Sequence, residues 1–212
     1  AQFDHVTAFR KFFDRISCVR GPQALALLSA CAAPKLDHVL RTHSVDVSGD
    51  LAKDFDKVMF ACMAKLADVD DTEYARLLAH LPAREGGLGV TSSVSKAPHA
   101  YRASTAAVHL GSEAPTQAAL MKQHFADVVT KLKEFEGACE LLARNKKAST
   151  SSWLNDPSFS ANADVFSAFL RTRLGAPVSR CPSQVVCPGC SATLSKFAFM
   201  THAPGCVQIR GT

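Results

Sequence analysis

Residues 50–67, DLAKDFDKVMFACMAKLA, decide the fold class of this chain. Apolar side chains recur there at the spacing of one helical face, and charged residues fill the positions between them. The apolar positions are Leu51, Phe55, Val58, Met59, Cys62 and Leu66. This pattern predicts an amphipathic helix that buries one side in a core.

Helical patterns continue on both sides of this segment. Further helices are predicted over residues 6–17, 22–32, 72–81, 95–110, 116–144 and 160–174, with a short one after Pro34. The stretch 22–32 is almost wholly apolar, so we expect it to be buried on most sides. Asp70 and Glu73 have the spacing of a capping box for the helix over 72–81. The chain is therefore predicted to be an all-α helical bundle.

The helix predicted over 116–144 is the longest, and it carries a narrow heptad seam. The seam positions are Met121, Phe125, Val128, Leu132, Phe135, Cys139 and Leu142. Such a seam packs one helix along another. An intramolecular hairpin is the favoured interpretation, and a surface for a second chain is the alternative.

Composition limits the classes of function. The chain has 212 residues, of which 47% are hydrophobic and 20% charged, as in one or two globular domains. A net charge of +5 permits a nucleic-acid partner without requiring one. The sequence contains neither an apolar run of membrane-spanning length nor a signal-peptide pattern, so no membrane partner is expected. Because residue 1 is Ala rather than Met, we expect processing or excision from a longer protein.

The cysteines indicate a metal site. Cys187, Cys190, His202 and Cys206 follow the spacing C-x2-C-x11-H-x3-C, and thiolate and imidazole donors suit tetrahedral zinc. Four reduced side chains in an ordinary tail, or a disulfide pair, are the alternatives. Cys181 is a possible replacement ligand, although its spacing to Cys187 is poor. The clustering of cysteines favours an intracellular, reducing compartment.

The spacing also resembles that of a ββα zinc finger. Leu194 and Phe199 occupy its two small-core positions, and Ser195 is a candidate helix cap. The positions that usually contact bases fall on Ser195, Ala198 and Thr201, none of which is a long bidentate donor. We therefore expect contact with nucleic-acid backbone or with protein rather than base recognition.

Basic residues cluster at three places, either as solvated faces or as contacts with a nucleic-acid backbone. One cluster is Arg10, Lys11, Arg15 and Arg20. The predicted backbone-binding residues are Arg144, Lys146 and Lys147 before the linker and Arg171, Arg173 and Arg180 before the zinc motif.

Other candidates have structural interpretations. Asp70-Asp71 has helical flanks, unlike the paired carboxylates of a polymerase. Gly86, Gly87 and Gly89 lack the lysine and the preceding strand of a phosphate loop, so a structural turn is favoured. Because no catalytic arrangement is recognisable, we predict that the chain is not an enzyme and has no small-molecule substrate.

Two stretches carry a resemblance to a known family. Residues 81–90, LPAREGGLGV, with the run 24–42 before them, resemble the region after the palm in reverse transcriptases of non-LTR retrotransposons. The cysteine-rich tail is similar to the zinc finger that precedes the restriction-like endonuclease in site-specific members. The resemblance covers roughly residues 20–208, while fingers, palm and the catalytic Asp-Asp strand motif are absent from this sequence.

A linker is predicted over the polar, Ser/Thr-rich residues 145–158, followed by a connecting helix over 159–180. The resemblance implies a thumb-like domain over 1–144 before them and a zinc-finger module over 181–212 after them. It implies binding to RNA or to an RNA/DNA duplex, in the nucleus or the mitochondrion. The chain is then a fragment of a longer polyprotein or a reused remnant. The alternative function is a structural subunit of a large ribonucleoprotein, such as a mitochondrial ribosome, that docks through its helices and zinc finger.

Overall fold

The computed structural model describes residues 5–19, 21–147, 154, 163–176, 184–186, 191 and 193–195. Most of these residues are helical, which confirms the prediction of a mainly α-helical protein. Its helices are α1 (His5–Cys18), α2 (Pro22–Leu27), α3 (Asp37–Thr42), α4 (Val45–Ala67), α5 (Glu73–His80), α6 (Ser93–Leu110), α7 (Gln117–Leu132), α8 (Ala138–Asn145) and α9 (Ala163–Arg173). Within these ranges no helix is long and apolar enough to cross a membrane.

Helix α4 lies at the centre of the bundle and packs against α1, α6 and α9. Phe55, Met59 and Met63 on its inner face are completely buried. Helix α1 brings Phe9 and Phe13 edge-on to Phe55, with ring centroids 5.0 and 5.2 Å apart. Such aromatic pairs contribute about 0.5–1.5 kcal/mol each beyond the burial of area. The segment predicted from its apolar pattern therefore organises the core, and its helix begins earlier than predicted, at Val45.

The predicted helix over 116–144 is two helices, α7 and α8, so this prediction was wrong. Gly137 has a φ of 72°, and this left-handed conformation interrupts a right-handed helix immediately before α8. The seam holds as far as Leu132, which is buried together with Met121 and Val128, whereas Cys139 is exposed. Because α7 packs against α5 and α6, the structure shows intramolecular packing of this seam, as the favoured interpretation predicted.

Two smaller predictions are also corrected. Thr72, rather than Asp70, caps α5, and its hydroxyl accepts a hydrogen bond from the Ala75 amide at 3.2 Å. The apolar stretch 22–32 divides into α2 and a π-helical turn, Leu28–Ala32. Only one side of this stretch faces the core, so Leu27 is 37% exposed.

Helix α9 is the described part of the predicted connecting helix, and it belongs to the bundle. Phe166, Leu170 and Leu174 lie in the same apolar core as α4. The Ser167 hydroxyl adds a hydrogen bond to the carbonyl oxygen of Ala67 at 3.1 Å. Residues 163–174 are therefore part of the helical domain in their packing, although they are distant from it in sequence.

A short β-hairpin follows the bundle along the chain. Strands β1 (Gln184–Val186) and β2 (Thr193–Ser195) pair antiparallel, with Val185 opposite Leu194. The segment between the strands contains Cys187 and Cys190 in sequence. This hairpin is compatible with the predicted resemblance of the cysteine motif to a ββα zinc finger.

Candidate nucleic-acid interface

Two of the arginines predicted to bind nucleic acid are buried in the bundle. Arg171 is 8% exposed, and its Nε donates to the carbonyl oxygens of Ala67 and Asp68 at 3.1 and 2.9 Å. Its guanidinium also pairs with the Asp68 carboxylate. Arg173 is 3% exposed and donates to the carbonyl oxygen of Gly87 at 2.8 Å. These guanidinium groups bind backbone carbonyls inside the fold, so the structure corrects their predicted role as surface contacts.

Arg144 also has a structural position, between α8 and the end of α9. Its guanidinium donates to the carbonyl oxygen of Thr172 at 2.5 Å. Lys146 and Lys147, in contrast, are exposed at the end of α8, and Lys146 forms an ion pair with Glu85 at 2.9 Å. Arg180 lies outside the described residues. Contact with a nucleic-acid backbone therefore stays a prediction for Lys146, Lys147 and Arg180. It is not proposed further for Arg144.

The four predicted zinc ligands, Cys187, Cys190, His202 and Cys206, lie outside the described residues, as does Cys181. Among the residues that are described, no three His, Cys, Asp or Glu side chains are grouped so that they could hold a metal ion. The described residues therefore offer no second candidate metal site, and the geometry of the predicted zinc site stays a prediction.

A row of exposed lysines on α4 is the main basic feature that sequence reasoning missed. Lys53, Lys57 and Lys65 lie on the outer face of the helix, at positions four and eight residues apart. Successive members of such a row are about 6 to 12 Å apart along the axis, since each residue adds about 1.5 Å. The spacing of four and eight residues was visible in the sequence, but this segment was interpreted from its apolar residues alone.

The α4 lysine row (Lys53, Lys57 and Lys65) borders two hollows in the surface. The first hollow lies between α1 and α4, has a volume of about 300 Å³, and is lined by Arg10, Lys57 and Lys65 among others. Asp14 and Asp54 line it too, so it carries both signs of charge with an excess of cations.

The second hollow is the larger, with a volume of about 820 Å³, and it lies among α4, α5, α6 and α7. We call it the α4–α7 cavity. Four cationic side chains line it, namely Lys53, Lys57, Arg76 and Lys131. Its carboxylates are Asp56, Glu73 and Asp127, and its apolar lining comes from Phe60, Leu77 and Val128. Because Lys57 lines both hollows, it connects them along α4.

Asp56 has a structural role at the edge of the α4–α7 cavity. Its carboxylate is 7% exposed and accepts hydrogen bonds from the amides of Ser93 and Val94 at 2.7 and 3.0 Å. It also accepts from the Ser92 hydroxyl at 2.5 Å. Burial raises its pKa, and these hydrogen bonds oppose the shift. Asp56 thus caps the N-terminus of α6 from α4 and fixes one wall of the cavity.

Two imidazoles meet beside this cap. The Ser92 amide donates to His80 Nδ1 at 2.9 Å, so the proton of neutral His80 is on Nε2. That Nε2 lies 3.0 Å from Nε2 of His124 and donates to it. Burial lowers the pKa of His80 to about 3 and also lowers that of His124. If Nε2 of His80 bound a metal ion, Nδ1 would carry the ring proton and could not accept from the Ser92 amide. This pair is therefore a neutral hydrogen-bonded pair rather than a metal site.

The remaining candidates have the structural roles favoured by the sequence. Asp71 forms a bidentate ion pair with Arg76 at 2.6 and 2.7 Å and is not part of a carboxylate pair with exposed Asp70. The glycine-rich loop makes close backbone contacts, because a Cβ at Gly87 would lie 2.0 Å from the carbonyl oxygen of Leu81. The interpretation of this loop as a structural turn is therefore confirmed.

No protein-family model matches this chain, and neither the curated proteins nor the solved structures gave a match. The resemblance to retrotransposon reverse transcriptases therefore stays a prediction from residues 81–90 and the cysteine motif.

Proposed function

We propose that this chain is a non-catalytic module that binds the backbone of RNA, with a zinc finger near its C-terminus. The observation that carries the proposal is the α4 lysine row, exposed between two hollows in which cationic side chains slightly outnumber carboxylates. Phosphates are bound mainly through Lys and Arg side chains, and such contacts do not select a base sequence. The resemblance of residues 81–90 to the region after a reverse transcriptase palm also implies a nucleic-acid ligand.

The charges of the row support an open surface rather than a closed site. Lys53 forms only an exposed, local ion pair with Asp50, and such pairs contribute about 0–1 kcal/mol. Lys65 donates to the Ser17 hydroxyl at 3.3 Å, and no ion pair to Lys57 occurs among the described residues. A polyanion can therefore recruit these ammonium groups without breaking a buried interaction.

Charge-matched variants test this proposal. The variant Lys53→Gln/Lys57→Gln/Lys65→Gln removes the α4 lysine row, and Arg102→Gln/Lys122→Gln/Lys133→Gln removes the same charge from exposed positions outside both hollows. Fluorescence anisotropy with a labelled single-stranded RNA should show affinity loss of about tenfold or more for the first variant and about twofold for the second. Equal losses would show that net charge alone determines binding and would overturn the proposed surface.

The zinc finger is the second part of the proposal. The antiparallel pairing of β1 with β2 supports it, because the segment that joins the two paired strands contains Cys187 and Cys190 in sequence. Metal analysis of the reduced protein should give one zinc per chain, which Cys187→Ser abolishes and the control Cys139→Ser retains. Cys139 is exposed on α8, outside the motif. A zinc-free wild-type protein would contradict this part while leaving the lysine surface untouched.

A structural role in a large ribonucleoprotein is the second candidate. Val108 and Leu110 at the end of α6 are 80% and 54% exposed, which favours contact with a neighbouring subunit. Co-sedimentation of the wild-type chain with a large particle, lost in the variant Val108→Ser/Leu110→Ser, would support this function. Sedimentation of the chain alone would favour the independent RNA-binding module.

A further inference from the structure

We propose that the α4–α7 cavity takes up one unstacked base of the single-stranded nucleic acid whose backbone follows the α4 lysine row. This inference rests on the proposed function and adds a binding site to it. The cavity volume of about 820 Å³ lies within the range of sites that bind small organic groups. Lys53 and Lys57 line the cavity and belong to the row, so one strand can contact both features.

The lining of the cavity suits the faces of a base. Phe60, Leu77 and Val128 provide an apolar surface between α4, α5 and α7. Phe60 and Val128 are themselves nearly buried, at 4% and 6% exposure, so the surrounding core holds them in place. A planar aromatic group that rests on this surface removes apolar area from water, which is a driving force for binding an unstacked base.

Two polar groups are available to the edge of a base. His124 accepts from His80 at Nε2, so its proton is on Nδ1, and no acceptor for that proton occurs among the described residues. The Ser95 hydroxyl also has no hydrogen-bond partner within the described part of the chain, and both residues line the cavity. A neutral donor and a hydroxyl match the mixed donors and acceptors of a base edge. The histidine is neutral because burial lowers its pKa.

Cations at the rim suit the phosphates on either side of that base. Arg76 pairs with Asp71, and Lys131 pairs with Glu73 at 2.5 Å, both at exposed positions. Lys57 lines the same cavity from α4. A phosphate approaching the rim can exchange with these exposed carboxylates at low cost. The cavity therefore combines apolar side chains, which suit a base, with four cationic side chains that outnumber its three carboxylates and suit a phosphate.

A single strand is the ligand that this shape selects. In a duplex, a base can enter such a cavity only after flipping, which costs a few kcal/mol of pairing and stacking. In a single strand the same movement breaks stacking alone. The α4–α7 cavity thus provides preference for single strands without recognition of a particular sequence.

Fluorescence of 2-aminopurine tests the inference with the unmodified chain. A single-stranded RNA 12-mer with one central 2-aminopurine should change its emission at saturation, since the base leaves its stacked neighbours and enters the cavity. The same RNA in a duplex should show no such change. Saturable, salt-dependent binding without any change in emission would overturn the inference and leave the proposed function standing. Absence of binding altogether would refute both.

A matched pair of variants locates the base. Ser95→Trp fills the α4–α7 cavity, and Ser104→Trp places the same side chain on the same helix in a separate hollow of about 410 Å³. Ser95→Trp should weaken single-strand binding about tenfold and abolish the emission change, because one base contact is lost. Ser104→Trp should leave both unchanged. If Ser95→Trp retained the emission change, the base would lie elsewhere and the inference would be wrong.

A second variant covers the case in which Ser95→Trp fails to fold. Lys57→Gln changes an exposed side chain at the rim and should reduce the affinity for the 12-mer while leaving duplex binding less affected. Equal weakening for single strands and duplexes would show that Lys57 serves only the general electrostatic surface and would contradict the inferred single-strand site in the cavity.

Discussion

Gly87 lies where the loop 81–90 turns back against the end of α5. A Cβ at this position would meet the carbonyl oxygens of Leu81 and Leu78 at 2.0 and 2.5 Å. Both are backbone atoms, so they can move only if the loop and the helix end move together. Sequence reasoning identified the loop as a structural turn, but only the structure shows which of its glycines is indispensable.

We therefore predict that Gly87→Ala lowers the free energy of unfolding by about 2–4 kcal/mol, because no side chain can yield to the added methyl group. Gly89→Ala is the control. Gly89 has a φ of 76° but has no atom within 4 Å of a Cβ, so that change should cost about 1 kcal/mol of conformational strain. Urea unfolding of both variants measures the difference, and equal losses would contradict the close approach at Gly87.

His80 makes stability depend on pH. Burial lowers its folded-state pKa from 6.5 to about 3, so the unfolded chain binds a proton that the folded chain excludes. This contribution is fully present above pH 6.5 and is lost as the pH falls toward 3, at about 1 kcal/mol per unit. The lowered pKa values of His99 and His124 act in the same direction. The raised pKa of Asp56 acts in the opposite direction, between its folded-state value and 3.8.

The variant His80→Asn isolates this effect. Its amide oxygen can accept the hydrogen bond from the Ser92 amide, but it does not titrate. Chemical unfolding between pH 7 and 4 should show a smaller decrease in stability for the variant than for the wild type. An identical pH dependence in both proteins would show that His80 is not the group responsible.

At the scale of elements, α8 and α9 enclose the loop 81–90 through Asn145. Its side-chain amide donates to the carbonyl oxygens of Gly86 and Arg173 at 3.1 and 2.7 Å, and the residue is 2% exposed. One amide group thus connects two helices and a loop that are far apart in sequence. These contacts help to hold residues 163–176 in the bundle.

The isosteric change Asn145→Asp removes both donors and brings a carboxylate toward two carbonyl oxygens. We predict a loss of about 2–4 kcal/mol in unfolding free energy. The control Gln117→Glu should be neutral or stabilising, since the Gln117 amide oxygen accepts from Arg41 at 3.2 and 3.3 Å. Thermal unfolding followed by circular dichroism separates the two. A small effect of Asn145→Asp would show that this amide does not hold the elements together.

Local patterns predicted most helices but not where they are interrupted. The seam from Met121 to Leu142 continues in sequence across Gly137, and only the left-handed backbone at that glycine reveals the break. A glycine inside a helical pattern is compatible with both outcomes, so periodicity alone does not decide between them. Likewise, Thr72 and Asp70 are both good capping residues, and the choice between them depends on where the chain enters α5.

At the scale of the whole molecule, the candidate interface was the least predictable feature. Clusters of basic residues in sequence drew attention to Arg171 and Arg173, whose neighbours in space bury them. The α4 lysine row lies in a segment whose apolar residues were used to predict a core helix. Its place in the candidate interface depends on the hollows that α4 forms with α1 and α7. Long-range packing decides which cationic side chains face solvent. That packing cannot be inferred from the local pattern of a single sequence.

The salt dependence of RNA binding tests the central claim most directly. Contacts from Arg10, Lys53, Lys57 and Lys65 predict a slope of about −3 for the logarithm of the association constant against the logarithm of salt concentration, since each contact with a single strand contributes about −0.7. Loss of the three α4 lysines should reduce this slope to about −1. A slope near zero for the wild type, or an unchanged slope in the variant, would contradict the account.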